Sequence, residues 1–486
     1  MSRLIVVSNR VAASEKAGAA SMGGLTMALS DALAFSDGVW FGWSGKTGPA
    51  TDRPDIRSQN GVTIATLDLE AQDVSEYYNG FANTVLWPLF HHRIDLARYE
   101  RAFGDGYQRV NERFAAALCD LVRPDDVLWV HDYHLMPLAL ALRRRGLTNR
   151  IGFFLHIPWP ARELLVTLPQ HQALVRSLFA YDLIGFQCEE WRRAFQAYVE
   201  IEAAGRVQSS GRISAFGEST TTGVFPIGID ARGFAAIAAS PGATRSYTRA
   251  AATGVFRSMI ISVDRVDYAK GLEARFMAIE RLLETYPDMI EKAFLLQVAQ
   301  PSRPEVRAFA ELHPRLDALS GRINGRFATV DWTPIRYLNR SYGRDHLAGL
   351  YRAARVGLVT PLRDGMNLVA KEYVAAQDPQ DPGVLILSRF AGAAEQMDQA
   401  LIVNPYSLED VADAIVRAIR MPKPERIARW RTMMDDIERH DAAAWRSDFL
   451  RALRSTTPQV SAAQASVIKP SATEGQGGGG SRVGFG

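Results

Sequence analysis

The sequence predicts an α/β protein with two Rossmann-like domains that face each other across a cleft. The main observation is that short apolar runs alternate with longer helical patterns. The runs are 127–130, 151–155, 183–186, 259–263, 294–298 and 384–387. Runs of this length between helices are typical of parallel strands buried on both faces. Ligands of such sheets bind beyond the carboxyl ends of the strands, so we expect the active site in the cleft.

The alternation pauses once, which divides the chain. It stops near 224–230, and a Ser/Gly/Ala-rich stretch around 240–243 precedes a second series of strands and helices. We therefore predict one domain over 1–235, a second over 236–440 and a C-terminal helix over 441–454. The Gly/Ser-rich tail, 455–486, is predicted to be disordered.

Composition excludes several classes of protein. The 486 residues are 47% hydrophobic and 22% charged, with a net charge of +3 and no block of Lys and Arg that would indicate nucleic acid binding. The two cysteines form neither a disulfide framework nor a metal-binding spacing. We find no apolar run of about 18 residues and no signal peptide, so we expect a cytoplasmic protein that does not enter a membrane.

A strand–loop–helix segment in the C-terminal half is suited to a nucleotide diphosphate. Backbone N–H groups in the first turn of a helix can hold phosphate oxygens, and here they belong to Leu368, Val369 and Ala370. Glu372 lies about one turn further on and can accept both hydroxyls of a ribose. Gly365 is expected to let the backbone approach the ligand. The alternative is an ordinary strand–loop–helix unit without a ligand.

Other motifs are absent or incomplete. No Gly-x-Gly-x-x-Gly follows a strand, so no dinucleotide cofactor is expected. Gly45-Lys46-Thr47 looks like the end of a phosphate-binding loop, but Trp40 occupies the position of the required glycine. His131-Asp132-Tyr133-His134 lacks further metal ligands, and there is no Asp-x-Asp triplet. We therefore expect neither a metal nor a cofactor, and Asp132 could instead receive a ligand hydroxyl.

Several segments together resemble the bacterial trehalose-6-phosphate synthase family, the retaining glycosyltransferases of family 20. The segments are 7–10, 23–25, 40–45, 77–81, 86–88, 130–134, 154–160, 264–272 and 357–372, and the resemblance covers about residues 1 to 450. It implies a GT-B fold whose C-terminal helix crosses back to the N-terminal domain. It also implies transfer of glucose from UDP-glucose to glucose 6-phosphate, giving α,α-trehalose 6-phosphate and UDP.

The resemblance places the donor mainly on the C-terminal domain. Arg265 and Lys270 match the pair that neutralises the diphosphate in place of a metal, where charge develops as the glycosidic bond breaks. Asp364 matches the residue that holds glucose hydroxyls, or else caps the helix. The remaining donor-binding positions are Gly23 and Gly24 in a mobile loop or plain turn, His156, Tyr342 near the base, and Leu368, Val369, Ala370, Lys371 and Glu372. Since some relatives have Phe where this chain has Tyr342, GDP- or ADP-glucose stays open.

The acceptor belongs mainly to the N-terminal domain. Arg10 and Arg303, one from each domain, match residues that bind the phosphate of glucose 6-phosphate, for which the planar guanidinium is suited. Tyr78 matches another phosphate ligand, and Asp132 matches a residue that holds acceptor hydroxyls. Trp40 and Trp87 would offer apolar faces to the sugars, with a core role as the alternative for each.

Retention of configuration leads to a mechanism. A double displacement needs two carboxyl groups about 5 Å apart, and the motifs offer only Asp132. We therefore favour front-face substitution, in which the leaving phosphate takes the proton from O1 of the acceptor. His156 would help to hold the donor, although it could be a core histidine. The catalytic set is then Asp132, His156, Arg265, Lys270 and Asp364.

Two rival functions are open, and the resemblance also implies partners. A glucan synthase or phosphorylase would share the architecture without the site around Arg10 and Arg303. A catalytically silent sugar-phosphate sensor would keep that site and lose donor residues such as Arg265. The family also implies a homo-oligomer, either a dimer or a tetramer, and a role in stress. Free trehalose would need a separate trehalose-6-phosphate phosphatase.

Overall fold

The fold contains two sheets, one in each half of the chain. The structure is a computed structural model and describes residues 3–11, 33, 38–59, 61–253, 257–303 and 305–456. The strands are β1 (Leu4–Arg10), β2 (Val39–Thr47), β3 (Asp55–Gln59), β4 (Val62–Leu69), β5 (Val127–His131), β6 (Ile151–Phe154), β7 (Leu183–Phe186), β8 (Arg206–Val207), β9 (Arg212–Ala215), β10 (Glu218–Val224), β11 (Ser258–Arg265), β12 (Ala293–Gln300), β13 (Ile335–Leu338), β14 (Val356–Val359), β15 (Val384–Ser388) and β16 (Leu401–Val403). All six apolar runs are strands, which confirms the predicted α/β class.

Helices connect the strands. They are α1 (Ala71–Asp73), α2 (Trp87–Phe90), α3 (Arg101–Cys119), α4 (Leu138–Arg144), α5 (Arg162–Leu165), α6 (His171–Leu178), α7 (Glu189–Glu202), α8 (Ala231–Ala238), α9 (Pro241–Thr253), α10 (Leu272–Thr285), α11 (Arg307–Ala310), α12 (Leu312–Phe327), α13 (Arg344–Ala353), α14 (Leu368–Ala376), α15 (Leu408–Arg420), α16 (Lys423–Arg439) and α17 (Ala442–Ser455). A π-helical segment, Val74–Leu86, joins α1 to α2. None of the helices in the described part is long and apolar enough to cross a membrane.

Both sheets have the strand order of a doubly wound fold. The first runs β3-β4-β2-β1-β5-β6-β7-β10-β9-β8, and the second runs β13-β12-β11-β14-β15-β16. In each sheet the chain first adds strands on one side of the central strand and later adds strands on its other side. The order therefore reverses between β1 and β5 in the first sheet and between β11 and β14 in the second. Ligands of open α/β sheets bind beyond the strand ends at this reversal.

The first sheet is less regular than the sequence predicts. Its centre is parallel, but β3 pairs antiparallel with β4, and β9 pairs antiparallel with both β8 and β10. These edge strands are short or partly exposed, with polar side chains on their open faces, as in the fully accessible run of β3. Apolar patterning therefore identified the buried strands and missed the exposed ones.

The chain crosses between the two halves twice, and the crossings touch. The first crossing is the extended segment 225–230, which precedes α8. Phe234 of α8 packs beside Tyr351 of the second half, so we propose the domain boundary within 225–230, a few residues before the predicted one.

The second crossing lies between α16 and α17. A Cβ at Gly228 would overlap the carbonyl oxygen of His440, so only glycine permits this approach.

Helix α17 returns to the first sheet, as the resemblance implied. Phe449 stacks on Trp129 of β5 with ring centroids 4.7 Å apart. It also lies over Gly152 of β6 and Gly185 of β7, where any Cβ would come within 3 Å of the Phe449 ring. The two strand glycines therefore form the recess that receives this helix. The predicted tail beyond residue 456 lies outside the described residues.

Phe449→Ala is expected to destabilise the first half of the protein. The substitution leaves a cavity over the strand glycines, which cannot fill it, so the expected loss is about 3–5 kcal/mol of unfolding free energy. The urea midpoint followed by tryptophan fluorescence measures the loss. Arg451→Ala on the exposed face of the same helix serves as the control, with an expected change within about 0.5 kcal/mol. Equal midpoints for the two variants would contradict this packing role.

Candidate active site

The predicted site residues lie at the two strand-order reversals. Arg10 ends β1 and Asp132 follows β5, which flank the reversal in the first sheet. Arg265 ends β11 and Asp364 follows β14, which flank the reversal in the second. Residues far apart in sequence thus occupy the positions where each sheet offers a ligand crevice.

Two arginines of the second half share one indole of the first. The guanidinium carbon of Arg303 lies 4.2 Å from the ring centroid of Trp87, and that of Arg265 lies 5.7 Å away. Trp87 is buried in the core, so cation–π attraction orients both cations across the cleft. The core role that the sequence left open for Trp87 fits this placement, and contact with a sugar stays a prediction.

Arg303 is held without a close carboxylate. Its Nη1 is buried, lies 3.9 Å from Oδ2 of Asp267 and has no hydrogen-bond partner among the described residues. Its backbone φ is 43°, which an L-residue rarely adopts. A cation with an unused donor, fixed in a strained conformation, is suited to an anionic ligand.

Lys270 and Asp364 form an ion pair in the absence of ligand. Nζ of Lys270 lies 2.6 Å from Oδ2 of Asp364. The same oxygen accepts a hydrogen bond from the side chain of Asn367, and Oδ1 accepts the backbone N–H of Gly365. Although burial acts to raise the pKa of Asp364, Lys270 outweighs it and holds the pKa below its usual value. Asp364 therefore organises its own loop, and its contact with glucose hydroxyls stays a prediction.

The first turn of α14 offers two backbone donors rather than three. Asn367 precedes the helix, and its side chain accepts the N–H of Ala370 at 3.3 Å. The N–H of Ala370 is thus used by the helix cap, and its contact with phosphate stays a prediction. The N–H groups of Leu368 and Val369 have no hydrogen-bond acceptor in the described part of the chain.

Lys371 does not point toward a ligand. Its side chain is buried, and Nζ donates to the carbonyl of Ile227 at 2.8 Å and to Oε1 of Gln396 at 2.7 Å. Desolvation lowers its pKa to about 8. The assignment of Lys371 to the donor is corrected, since the ammonium instead ties α14 to the crossing segment. The position of Lys371 next to Glu372 in the sequence does not show which way its side chain points.

Glu372 is a carboxylate without an ion pair in the described residues. It is partly exposed, and burial raises its pKa to about 7, against a smaller opposing effect of Arg344. An unpaired acceptor of this kind is suited to the two hydroxyls of a ribose. Tyr342 lies before α13, stacked on His346 at a centroid distance of 4.5 Å, and its place beside a base stays a prediction.

His156 joins the two halves through its backbone. Its N–H donates to Oδ1 of Asp132 at 3.2 Å. Its carbonyl oxygen lies against Gly365, where a Cβ would overlap it. The sequence assigned Gly365 to close approach of a ligand, and the structure corrects this, because the neighbour is the backbone of the opposite half. Burial raises the pKa of Asp132 to about 6 and lowers that of His156 to about 3.

The remaining acceptor residues surround the end of β1. The Arg10 guanidinium lies 5.7 Å from the ring of Trp43 and is not in an ion pair with any described residue. Tyr78 stacks on His134 at 6.0 Å. Trp40 is buried and donates its indole N–H to Ser8 at 2.8 Å, which fits the core role weighed for it, so contact with a sugar stays a prediction. Gly23 and Gly24 lie outside the described residues.

Sequence reasoning missed a buried arginine under the donor side. Arg275 of α10 is almost fully buried and bonds Asp264 at 2.8 Å and Gln297 at 2.9 Å. It also donates to the carbonyl of Lys270 at 3.0 Å. It therefore fixes the turn that carries Lys270. No motif indicates this role, because the sequence pattern places Arg275 on the polar face of α10.

No cluster of three or more potential metal-ligating side chains occurs within the described ranges. His131 and His134 are both buried, and burial keeps the pKa of each well below its usual value. They belong to aromatic packing around β5, with His134 stacked between Tyr78 and Tyr133.

These features define a two-domain α/β protein of the GT-B fold, with arginine side chains on both sides of one cleft. The model of glycosyltransferase family 20 matches residues 2–455, and the chain belongs to this family. The trehalose-6-phosphate synthase of Sinorhizobium fredii is 50% identical over 460 residues, which cover 94% of this chain and 99% of that protein.

Solved structures agree with this placement. The UDP-forming α,α-trehalose-phosphate synthase from Burkholderia xenovorans in complex with glucose-6-phosphate is 48% identical, with a TM-score of 0.89 over 93% of this chain and all of that one. An E. coli structure described as bound with UDP-2-fluoro glucose is 45% identical, with a TM-score of 0.90 over 94% of this chain and all of that one.

Glu372→Gln is expected to stabilise the ligand-free protein at pH 8 and not at pH 4.5. The pKa of Glu372 rises from 4.5 to about 7 on folding, so its contribution is fully present below pH 4.5 and is lost as pH rises through 7. Because the side chain is partly exposed, the expected gain at pH 8 is only about 1–2 kcal/mol.

Urea midpoints at both pH values measure this gain. Glu200→Gln, on the exposed face of α7, is the matched control and should change neither midpoint. A gain that is equal at both pH values would show that the effect does not come from ionisation of Glu372.

Proposed function

We propose that this protein transfers glucose from UDP-glucose to glucose 6-phosphate with retention, forming α,α-trehalose 6-phosphate and UDP. The observation that carries the proposal is membership of family 20 over residues 2–455, together with full-length similarity to synthases bound to each substrate or its analogue. Donor and acceptor residues at both strand-order reversals support it.

The donor diphosphate would lie between α14 and the β11–α10 turn. The N–H groups of Leu368 and Val369 are available there, and Arg265 makes no ion pair within the described residues. An ammonium has three donors, so Lys270 can keep its bond to Asp364 and still reach phosphate oxygens. Glu372 would accept the ribose hydroxyls.

The acceptor phosphate would lie between the domains. Arg303 comes from the second half and Arg10 from the first, and Trp87 already orients Arg303 toward the first half. A dianionic phosphate held by one cation from each side favours the closed cleft. Asp132, which follows the strand next to β1, would accept hydroxyls of the acceptor glucose.

The chemical step follows from where charge develops. As the bond from C1 of glucose to the β-phosphate oxygen breaks, negative charge grows on UDP, and Arg265, Lys270 and the α14 donors lie where they can stabilise it. The departing phosphate oxygen takes the proton from O1 of glucose 6-phosphate, and O1 bonds C1 on the same face. Asp364 is a poor nucleophile for a double displacement, because both of its oxygens already accept hydrogen bonds.

The residues on the donor side argue against the alternative of a catalytically silent sensor. Arg265, Lys270 and Glu372 are all present. Arg265 and Glu372 have no partner within the described ranges that would disable them. A glucan synthase or phosphorylase is also disfavoured, since neither needs the cationic site at Arg10 and Arg303.

Several wider properties belong to the same proposal. We assign the acceptor side to the residues before the linker at 225–230 and the donor side to the residues after it, up to 440. We also propose a cytoplasmic homo-oligomer, a dimer or tetramer, that acts in stress. A separate trehalose-6-phosphate phosphatase would consume the product.

The direct test is UDP release by the purified protein with UDP-glucose in EDTA, with and without glucose 6-phosphate, combined with mass analysis of the product. UDP release that depends on the acceptor and yields a disaccharide phosphate is expected. Glucan as acceptor and GDP- or ADP-glucose as donor are run in parallel. No turnover, with thermal stabilisation by glucose 6-phosphate alone, would favour the sensor.

Arg303→Gln is expected to raise KM for glucose 6-phosphate and to leave KM for UDP-glucose within about twofold. Charge-assisted hydrogen bonds contribute about 1.5–3 kcal/mol each, so the expected increase is about 100-fold. Steady-state kinetics with each substrate varied measures both constants. Arg307→Gln, an exposed arginine paired with Glu311, is the control. An equal increase for UDP-glucose would contradict the assignment.

A further inference from the structure

A chain of hydrogen bonds runs from the crossing segment to His156. The backbone N–H of Ile227 donates to Oε1 of Gln187 at 2.8 Å. Nε2 of Gln187 lies 3.4 Å from Nδ1 of His156. Nε2 of His156 lies 3.0 Å from Nδ1 of His131. Gln187 and His131 are both buried and His156 between them is partly buried.

The backbone N–H at one end fixes the direction of the whole chain. An amide N–H can only donate, so Gln187 must turn its oxygen to Ile227 and its NH₂ to His156. Nδ1 of His156 is then an acceptor without a proton, and a neutral ring carries its proton on Nε2. That proton is donated to Nδ1 of His131, whose own proton sits on Nε2. The reverse direction would place two N–H groups against each other.

The backbone of the same residue is also held from the donor side. The carbonyl of Ile227 accepts Nζ of Lys371 at 2.8 Å, and Lys371 also bonds Gln396. Lys371 belongs to α14, whose first turn offers the free donors of Leu368 and Val369. The backbone of Ile227, through its N–H and its carbonyl, thus links the helix proposed to bind the diphosphate with the ring of His156.

We propose that Gln187 is a positioning residue that fixes the orientation of His156 and its Nε2–H tautomer, with the backbone of Ile227 and Lys371 as its anchor. This inference rests on the proposed glucosyl transfer. It goes beyond the role given to His156, because both ring nitrogens are now engaged within the protein. His156 therefore does not serve as a general base. Its backbone also bonds Asp132 and contacts Gly365.

Burial of the ring agrees with this arrangement. Desolvation lowers the pKa of His156 to about 3, and burial keeps the pKa of His131 well below its usual value. Both rings are therefore neutral at physiological pH, as a chain with one proton per ring requires. Nε2 of His131 ends the chain without an acceptor in the described residues, beside the ring of Trp129 at 4.6 Å.

Neutron diffraction of the deuterated full-length protein tests the direction of the chain. In the wild type we expect deuterons on Nε2 of His156 and of His131, and none on Nδ1 of His156. Gln187→Glu, at a pD of about 9 where the buried carboxyl is ionised, replaces the donor by a carboxylate that can only accept, so a deuteron should appear on Nδ1 of His156. A deuteron on that atom in the wild type, or none in the variant, overturns the inference.

The matched control is Gln196→Glu. Gln196 is also buried in the first half, and it donates to Oγ1 of Thr222 at 3.1 Å, outside this chain. It should leave the deuterons on His156 and His131 as in the wild type. Gln187→Met, which removes both hydrogen bonds at similar volume, is a second variant in case Gln187→Glu does not fold.

Steady-state kinetics tests whether this chain of hydrogen bonds affects the reaction. Both Gln187 variants should lower kcat about 10- to 100-fold, because misplacing groups in an active site by small distances has effects of this size. KM for glucose 6-phosphate should stay within about twofold, and Gln196→Glu should retain kcat. Unchanged kcat in a variant whose deuterons have moved would overturn the positioning role.

The two proposals can fail separately. If the wild-type protein forms no disaccharide phosphate, the proposed function fails, and the positioning role fails with it, whatever the neutron maps show. If the wild type is active and Gln187→Glu is equally active, the proposed function stands and the role of Gln187 fails.

Discussion

The site depends on close backbone contact between the two halves at two glycines. Gly228 lies against the carbonyl of His440 where the chain crosses twice, and Gly365 lies against the carbonyl of His156 where the sheets face each other. Any side chain at either position would push the halves apart by roughly the width of a methyl group. All groups that act across the cleft require this spacing.

The cleft keeps its charges incompletely paired. Arg303 and Arg265 lie beside the indole of Trp87, and Oδ2 of Asp267 lies 3.9 Å from Nη1 of Arg303. On the acidic side, burial raises the pKa values of Asp132 and Glu372. Free cations and desolvated acceptors cost stability in the empty protein, and ligands with phosphates and hydroxyls relieve that cost. The free energy that this arrangement costs in folding is thus recovered when such ligands bind.

Much of the site could be predicted because its chemistry is local in sequence. Arg10, Asp132, Arg265 and Asp364 each follow a recognisable strand, and parallel strands bring such residues to one edge. The direction of a side chain is not local. Lys371 follows the turn proposed to bind phosphate, yet its ammonium donates to the carbonyl of Ile227 and to the side-chain oxygen of Gln396.

The sequence by itself determined the α/β class, the two series of strands and the family, because apolar periodicity and long ordered motifs are properties of neighbouring residues. Only the tertiary structure decided which donors are free. The side chain of Asn367 occupies the N–H of Ala370, and the crossing segment sets the direction of the hydrogen bonds that reach His156. Hydrogen bonds join groups far apart in the chain, and each donor serves whichever acceptor the fold brings nearest.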